Sequence, residues 1–214
     1  MPANTSRRSP AEPTSLRERK KERTKSAMID AALRLFAAQG YDNVTVQDIA
    51  DAAEVSATTF FRYFATKEDV LFTDAHAVLL LLAGAAATAH AELDDIGTVH
   101  HIVRTMLGEH FNVDHVRARY LVAVSTPELR GRLADTDRMW RESISAALQQ
   151  RDGLTEPTRE IELTTRVCTA VLRAALDEWT SADTDTPTSD RLLTLLDEWF
   201  DELRASSRRW APSD

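Results

Sequence analysis

The 214-residue sequence predicts an all-α fold of about nine helices, with a small N-terminal domain and a larger C-terminal one. Glycine and proline are scarce, with 6 and 7 residues respectively, and 43% of the residues are hydrophobic. This composition suits long helices around an ample core. Apolar residues recur at helical spacing, and no segment alternates as a strand would. Two capped helices joined by a tight turn near the N-terminus are the most specific signal.

The first helix is predicted over residues 15–39. Apolar side chains such as Met28, Leu33 and Phe36 recur there on one face. Gly40 follows directly and is a typical residue at a helix end. The segment therefore predicts one long helix that buries one side.

Two short helices joined by a tight turn are predicted next. Thr45 followed by Asp48 is close to a capping box at the start of the first helix, and Ser56 is suited to cap the second. In that second helix, Phe60 and Phe64 lie four residues apart and are expected to face the core. The opposite side then carries Thr, Phe and Arg side chains on a helix of the kind that enters the DNA major groove.

This stretch resembles the DNA-binding domain of the TetR family of bacterial regulators. The matching residues are Phe36, Gly40, Tyr41, Thr45–Ala50, Val55, Ser56, Thr59–Phe64, Lys67 and Glu68. One departure is Glu54, at a turn position that is often Gly in the family, where a left-handed backbone is mildly strained for Glu. Another is Phe61, where the family often has Tyr, so a phosphate hydrogen bond is missing. The resemblance implies a helix-turn-helix DNA-binding domain over 16–67, with the motif at about 45–64.

The residue types in the motif predict its DNA contacts. Ala57 and Thr58 are small, so the backbone can approach base edges, and Arg62 can bind guanine or a phosphate. Lys67 is expected at the start of the next helix, where the helix dipole favours a phosphate. The predicted contacts are Lys25, Thr45, Ser56, Ala57, Thr58, Thr59, Phe61, Arg62, Tyr63 and Lys67. The alternative is a packing motif with no role in DNA binding.

Charge is distributed unevenly along the chain. The net charge is −8, but residues 1–67 carry 11 basic and 8 acidic residues, whereas residues 68–214 carry 15 and 26. The DNA-facing end is therefore locally positive, and the acidic remainder should stay off nucleic acid. Residues 1–15 are rich in Pro and Ser and are predicted to be a disordered basic arm. Arg7 and Arg8 in this arm either reach a minor groove or remain solvated.

Residues 68–214 are predicted to form an effector-binding and dimerisation domain. Capping residues, prolines and apolar spacing place its helices at 67–92, 98–110, 114–124, 127–150, 157–181 and 189–209. The resemblance implies that the last two make a homodimer, and their broad apolar stripes suit a four-helix bundle across a two-fold axis. The alternative is that these stripes face the core of the same chain. A dimer of this kind reads an inverted-repeat operator.

Candidate effector contacts lie on the middle helices and combine apolar side chains with a few polar ones, as a ligand cavity requires. They are Met106, His110, Phe111, Arg119, Tyr120, Trp140, Arg141, Ile144, Cys168 and Leu172. Plain core packing is the alternative. The segment from Arg117 to Trp140 also resembles a mycofactocin-regulator-type subgroup of the TetR family that binds acyl-CoA-like ligands. That resemblance implies an apolar tunnel, with Arg117, Arg119 or Arg141 at the CoA phosphates; the alternative for these arginines is surface ion pairing.

Other functional classes find little support in the sequence. No P-loop, GxGxxG or GxSxG motif is present, and the six His lack a metal-ligand spacing, so no enzyme, cofactor or metal site is expected. Cys168 lies in an apolar context and is expected to be an inert thiol. A single Cys fits a reducing cytoplasm. The longest apolar run, residues 75–91, is too short to span a membrane.

These observations predict a cytoplasmic, ligand-responsive regulator of transcription. We expect a repressor that binds a double-stranded DNA operator as a homodimer and is released by a small, largely apolar effector, with acyl-CoA as a candidate. The alternatives are an activator, a regulator without an effector, or a helical ligand-binding scaffold with a vestigial DNA-binding motif.

Overall fold

The all-α prediction is confirmed by a computed structural model, which describes residues 15–72, 81–82, 84–86, 88–89, 92–181 and 188–210. We label its helices α1 Leu16–Gln39, α2 Val46–Ala52, α3 Ala57–Tyr63, α4 Asp69–Phe72, α5 Asp95–Thr105, α6 Val113–Ser125, α7 Pro127–Arg151, α8 Arg159–Ser181 and α9 Ser189–Trp210. A 3₁₀ turn covers Tyr41–Asn43, and a π-helical turn covers Met106–His110. Over the described ranges no residue is in a strand, and no helix there is long and apolar enough to cross a bilayer.

Two predicted segments fall wholly or partly outside these ranges. The basic arm with Arg7 and Arg8 lies outside the described residues, as does the middle of the helix predicted over 67–92. Its described part begins at Asp69 rather than Lys67, and helical residues recur at 81–82, 84–86 and 88.

Two predicted helix starts in the C-terminal part are wrong by one to three residues. The helix expected from Thr98 begins at Asp95, because the Asp94 carboxylate accepts a hydrogen bond from the Gly97 N–H at 2.7 Å. The helix that Asp114 was predicted to cap begins at Val113, and its cap is Asn112, whose side chain accepts from the His115 N–H. Both segments offer several residues able to cap a helix, so residue type alone does not select the start.

The starts of the last two helices also differ slightly from prediction. Helix α8 begins at Arg159 rather than Pro157, and the Thr158 hydroxyl accepts from the Ile161 N–H at 3.2 Å. Ser189, predicted to cap the last helix, is instead its first residue, and the Thr188 hydroxyl accepts from a backbone N–H inside the helix. A threonine hydroxyl therefore satisfies a free N–H at both starts.

The buried apolar residues form two clusters. The first joins α1–α4 around fully buried side chains such as Met28, Ile49 and Phe60. It also includes Val122 of α6 and Leu129 of α7, so its packing extends beyond the domain end predicted at residue 67. The second cluster lies among α5, α7, α8 and α9. The domain boundary itself stays a prediction.

The two clusters are also linked by polar contacts. His115 Nε2 of α6 lies 2.6 Å from Asp30 Oδ1 of α1. Arg132 Nη2 of α7 donates to Asp69 Oδ1 of α4 at 2.8 Å. The helices that carry the candidate effector contacts are thus joined directly to the helices that flank the DNA-binding motif.

Candidate DNA interface and effector cavity

The first helix of the motif is fixed by a reciprocal cap. The Asp48 N–H donates to the Thr45 hydroxyl at 3.2 Å, and the Thr45 N–H donates to the Asp48 carboxylate at 2.8 Å. The Thr45 hydroxyl also donates to the Asp48 carboxylate at 2.6 Å, and this bond, followed by the one from the Thr45 N–H, lowers the pKa of the Asp48 carboxyl. The predicted capping box is confirmed, and it keeps Thr45 exposed at the helix start.

The turn between α2 and α3 keeps a left-handed residue without glycine. Glu54 has φ of 55°, a conformation that costs an ordinary residue on the order of 1 kcal/mol. The Val55 N–H donates to the Ala50 carbonyl at 2.9 Å and closes the turn. Ser56 then accepts from the Thr59 N–H at 3.1 Å, as predicted for an N-cap.

Helix α3 separates a buried aromatic side from an exposed one. Phe60 and Phe64 are buried with their ring centroids 5.2 Å apart. Phe61 is 56% exposed, and Thr58 and Arg62 are exposed beside it. This short helix therefore presents hydroxyl, aromatic and guanidinium groups to solvent from a rigid base. Of the other predicted contacts here, Ser56 is exposed and Ala57, Thr59 and Tyr63 are half-buried.

A basic groove runs between the start of α1 and α3. Arg17, Lys20 and Lys21 line it from α1, opposite Arg62 and the half-buried Tyr63 of α3. Ser15, Glu18 and Thr24 complete its lining. The Arg62 guanidinium lies 5.4 Å from the centroid of the Tyr63 ring. At this distance a cation–π interaction favours this position of the guanidinium. The groove thus gathers cations from two helices.

In α1, the residues that line the basic groove differ from the predicted DNA contact. Lys25 is half-buried and does not line the basic groove. Arg17 does line it, although the sequence analysis did not select it. The signal was the spacing of residues 17, 20, 21 and 24, which places them on one helical face. A DNA contact by Lys25 stays a prediction.

Lys67 is half-buried, and its ammonium group binds backbone carbonyls of the same chain. Its Nζ donates to the Tyr41 carbonyl at 2.8 Å and to the Val44 carbonyl at 3.0 Å, and it lies 4.0 Å from the centroid of the Tyr41 ring. The Tyr41 hydroxyl donates to Glu68, and burial followed by this bond raises the pKa of that hydroxyl. These contacts fasten the segment before α2 to the segment before α4. A phosphate contact by Lys67 stays a prediction.

A cavity of about 160 Å³ lies among α5–α8 and contains most of the predicted effector residues. Those that line it are Phe111, Tyr120, Trp140, Ile144, Cys168 and Leu172. Met106 is fully buried in the adjoining core without lining the cavity. Arg141 is half-buried and also does not line it. The side chain of His110 lies outside what the structure describes.

The polar side of this cavity was missed by the sequence analysis. Arg173 of α8 pairs with Asp137 of α7, and Thr136 and Thr169 also line the wall. Helical spacing gave a signal, because Asp137 lies three residues before Trp140 and Thr169 lies three before Leu172. Nothing local indicated that Arg173 and Asp137 meet, since 36 positions separate them.

Tyr120 extends this polar side. Its hydroxyl donates to Asp177, and its ring centroid lies 5.3 Å from the Arg173 guanidinium carbon. Burial, and then the bond to Asp177, raise the pKa of Tyr120 to about 12. Burial opposes the charge on Arg173, but Tyr120 and Asp137 outweigh it and raise the pKa of the guanidinium. Tyr120 is therefore neutral and Arg173 charged at neutral pH.

The single cysteine forms part of the apolar wall. Cys168 is 1% exposed, and burial raises the pKa of its thiol to about 12. Since the thiolate is the reactive form, the thiol is inert at neutral pH, as the sequence predicted.

A second cavity of about 170 Å³ shares six of the same wall residues, Tyr120 and Trp140 among them. It is closed on the other side by Leu71 and Phe72 of α4, and Arg119 also lines it. Arg132 of α7 contacts two side chains of α4. Its guanidinium pairs with Asp69 and lies 5.2 Å from the centroid of the Phe72 ring. The two cavities thus extend from Arg173 of α8 to α4, the helix that follows the DNA-binding motif.

Comparisons with known proteins match both the N-terminal and the C-terminal part of the chain. The family model for bacterial regulatory proteins of the tetR family matches residues 28–73, and the model for the MftR C-terminal domain matches residues 97–208. Over 63 residues the chain is 52% identical to the transcriptional regulator TcmR of Streptomyces glaucescens, a match that covers 29% of this chain and 28% of TcmR.

Two longer matches extend over the C-terminal part. The chain is 31% identical over 137 residues to MftR of Mycobacterium tuberculosis, a protein assigned to regulation of mycofactocin biosynthesis; the match covers 63% of this chain and 69% of MftR. Among solved structures, a TetR-family regulator from Syntrophomonas wolfei superposes with a TM-score of 0.63 at 18% identity, over 87% of this chain and 96% of that one.

Proposed function

Since the chain belongs to the TetR family of bacterial regulators, it is a DNA-binding regulator of transcription, and we propose that it is a repressor released by a small apolar effector. DNA binding is supported by the pairing of an exposed recognition helix with a basic groove, and release by an effector is supported by the apolar cavity among α5–α8. Thr58, Phe61 and Arg62 are exposed on α3, and Arg17, Lys20 and Lys21 of α1 line the groove beside it.

The two helices have different roles in this proposal. Helix α3 enters the major groove, where Arg62 binds a guanine edge or the adjacent phosphate. The α1 cations neutralise phosphates along the flanking backbone, which positions the protein without reading sequence. Thr45 and Ser56 are exposed at the starts of α2 and α3, where their hydroxyls can reach a phosphate of the flanking backbone.

We propose that α8 and α9 form the homodimer interface, at about the predicted 157–181 and 189–209. Most of their apolar stripes are buried within the chain itself, including Trp179 and Phe200, so the width of the stripes does not by itself require a partner. Support comes from the outer face of α8, where Leu163 is 62% exposed and Ala170 and Ala174 are small enough for close helix packing.

The dimer proposal can be tested with two exposed leucines. We expect Leu163→Glu to weaken self-association in sedimentation velocity, because it places a charge in the interface. Leu154→Glu is the matched control, since Leu154 is 38% exposed in the loop before α8. Equal behaviour of the two variants would place the interface elsewhere.

We propose that effector binding in the first cavity reaches the DNA through α4. A ligand among Tyr120, Trp140 and their neighbours changes the wall shared with the second cavity, which Leu71 and Phe72 close. Movement of α4 then alters the placement of α3, and operator affinity falls by the effector's differential affinity for the two states.

The central test is selection of bound duplexes from a random DNA pool by the full-length protein. Enrichment of an inverted repeat, with affinity that falls steeply as salt rises, is the expected result. Failure to enrich any sequence at moderate salt would contradict the DNA-binding proposal and favour the scaffold alternative. Loss of the enriched repeat on adding an effector then identifies a regulator that its ligand releases from DNA, and higher transcription from that operator in the presence of the ligand identifies a repressor.

A further inference from the structure

We propose that the effector is a free carboxylic acid, with its apolar body in the first cavity and its carboxylate on Arg173 in place of Asp137. The inference rests on the proposed effector role of this cavity and names the chemical class of the ligand. It differs from the acyl-CoA expected by resemblance, because it requires an unesterified carboxylate.

Cavity size limits the body of the ligand. About 160 Å³ is available in the first cavity, close to the volume of an engineered cavity that holds benzene. The second cavity adds about 170 Å³ behind the shared wall. A ring or a short alkyl chain fits such a space, whereas the nucleotide of CoA does not.

The arginines expected at CoA phosphates do not gather at one place. Arg117 lines a cleft between α1 and α6, and Arg119 lines the second cavity. Arg141 lines neither of the two apolar cavities. Recognition of several phosphates requires clustered cations, so their separation argues against a CoA head group.

The hydroxyl donors on the cavity wall are already used within the protein, which leaves the Arg173 guanidinium as the group that can bind an anion on the ligand. The Thr136 and Thr169 hydroxyls already donate to the carbonyls of Arg132 and Thr165, at 2.9 and 2.7 Å. The Tyr120 hydroxyl likewise donates to Asp177. Among the described residues that line the cavity, Arg173 is the only cation.

A guanidinium is well matched to a carboxylate. Its planar fork can bind both oxygens of a carboxylate at once. An anionic oxygen pair on the ligand can therefore replace the Asp137 carboxylate on this guanidinium, whereas a neutral hydroxyl cannot.

Asp137 can leave Arg173 at low cost. The pair lies at the cavity edge, with side chains 31% and 27% exposed respectively, so a displaced carboxylate can reach water. Arg141 lies four residues further along α7, the spacing at which an acid and a base on a helix attract each other. The ligand therefore exchanges one carboxylate for another and leaves no charge buried alone.

The test is calorimetric titration of the full-length protein with hexanoate, octanoate, decanoate and benzoate. Each acid is compared with its matching primary alcohol and CoA thioester. We expect at least one acid to bind, with its alcohol roughly tenfold or more weaker because the charge-assisted bond is lost, and with no gain for its thioester. Equal binding of acid and alcohol, or tighter binding of the thioester, would overturn the proposal.

Two substitutions should act in opposite directions. Asp137→Asn removes the competitor, so we expect tighter binding of the acid and unchanged binding of the alcohol. Arg173→Gln should remove the preference for the acid. The double variant, in which both groups are neutral, should also show no preference and guards against misfolding of either single variant. Arg166→Gln is the control, because Arg166 is an exposed arginine of α8 that pairs with Glu162.

Operator binding without ligand, measured on the same proteins, separates this inference from the proposed function. Intact operator binding with no response to any acid overturns the ligand class and leaves the DNA-binding regulator standing. Release by a thioester alone supports an effector-controlled regulator but overturns the free acid. Weaker acid binding in Asp137→Asn would contradict the exchange of carboxylates.

Discussion

The DNA-facing end and the effector cavity hold their cations in opposite ways. Arg62 is exposed on a seven-residue helix and shares its groove with Arg17, Lys20 and Lys21, so positive charge accumulates there. Arg173 is instead paired with Asp137 on a neighbouring long helix, at the edge of an apolar cavity. The first arrangement attracts a polyanion over a distance, whereas the second selects one compact group by exchange.

The two regions also differ in what holds them in place. At the DNA-facing end the supports are local, namely a capping box, a closed turn and an N-cap within 15 residues. At the cavity the supports come from α6, α7 and α8 together. Substitutions should therefore have separable effects at the first site and coupled effects at the second.

The largest expected effect comes from the base of the recognition helix. Phe60 is fully buried, so Phe60→Ala should reduce the free energy of unfolding by about 3–5 kcal/mol, as measured by urea denaturation. Phe61→Ala is the matched control, because its exposed ring should cost little stability while operator affinity falls. Similar destabilisation by both would mean that Phe61 packs within the protein.

Arg62→Ala should leave stability nearly unchanged and weaken operator binding by about 1–3 kcal/mol. A base contact would relax specificity at one position, while a phosphate contact would weaken all sequences equally. Fluorescence anisotropy with operator and mismatched duplexes distinguishes the two. Arg34→Ala on the exposed part of α1 serves as the control, and equal affinity of both variants would remove Arg62 from the interface.

The contacts of Arg132 with α4 should carry part of the coupling between effector binding and operator binding. Arg132 contacts Asp69 and Phe72 of α4, so Arg132→Met should preserve effector binding and operator binding but reduce the effect of one on the other. A change of about 0.5–2 kcal/mol in coupling is expected. It is measured as the ratio of operator affinities with and without saturating effector. An unchanged ratio would place the coupling elsewhere, for example at the His115–Asp30 contact.

The smallest expected effect is a pH dependence of folding stability that arises from the pair of Asp69 and Arg132. Burial opposes ionisation of Asp69, but hydrogen bonds from Arg132 and the Thr66 N–H outweigh it and lower the pKa of this carboxyl. The folding stability that the ionised Asp69 carboxylate contributes is therefore fully present above the ordinary pKa near 4. It is lost as the pH falls through the lowered pKa. Asp69→Asn should cost less than about 1 kcal/mol at pH 7, and the difference should disappear in acid unfolding experiments.

Local signals explain how much of the molecule could be predicted from its sequence. The caps of Thr45 and Ser56 depend on neighbours within three or four residues, and both were predicted. For Glu54 the sequence indicated only that a left-handed backbone would be strained, and the structure keeps that conformation. Helix starts at Asp95 and Val113 were missed because several nearby residues could cap them.

The cavity could be predicted only in part. Its apolar lining follows helical spacing, so Phe111, Trp140 and Leu172 were found. The pairing of Arg173 with Asp137 depends on how α7 and α8 cross, and single-sequence patterns do not fix that crossing.

The turn at Glu54 has a consequence for how the sequence can drift. Replacing Glu54 by glycine would relieve the strain of its positive φ, but glycine also makes the unfolded chain more flexible and so costs folding free energy. The strain that is relieved, about 1–2 kcal/mol, exceeds the roughly 0.4–1 kcal/mol that glycine adds to the entropy of the unfolded chain. Selection on stability alone would therefore favour glycine at this turn by only a small margin, which lets Glu54 persist without disturbing the recognition helix.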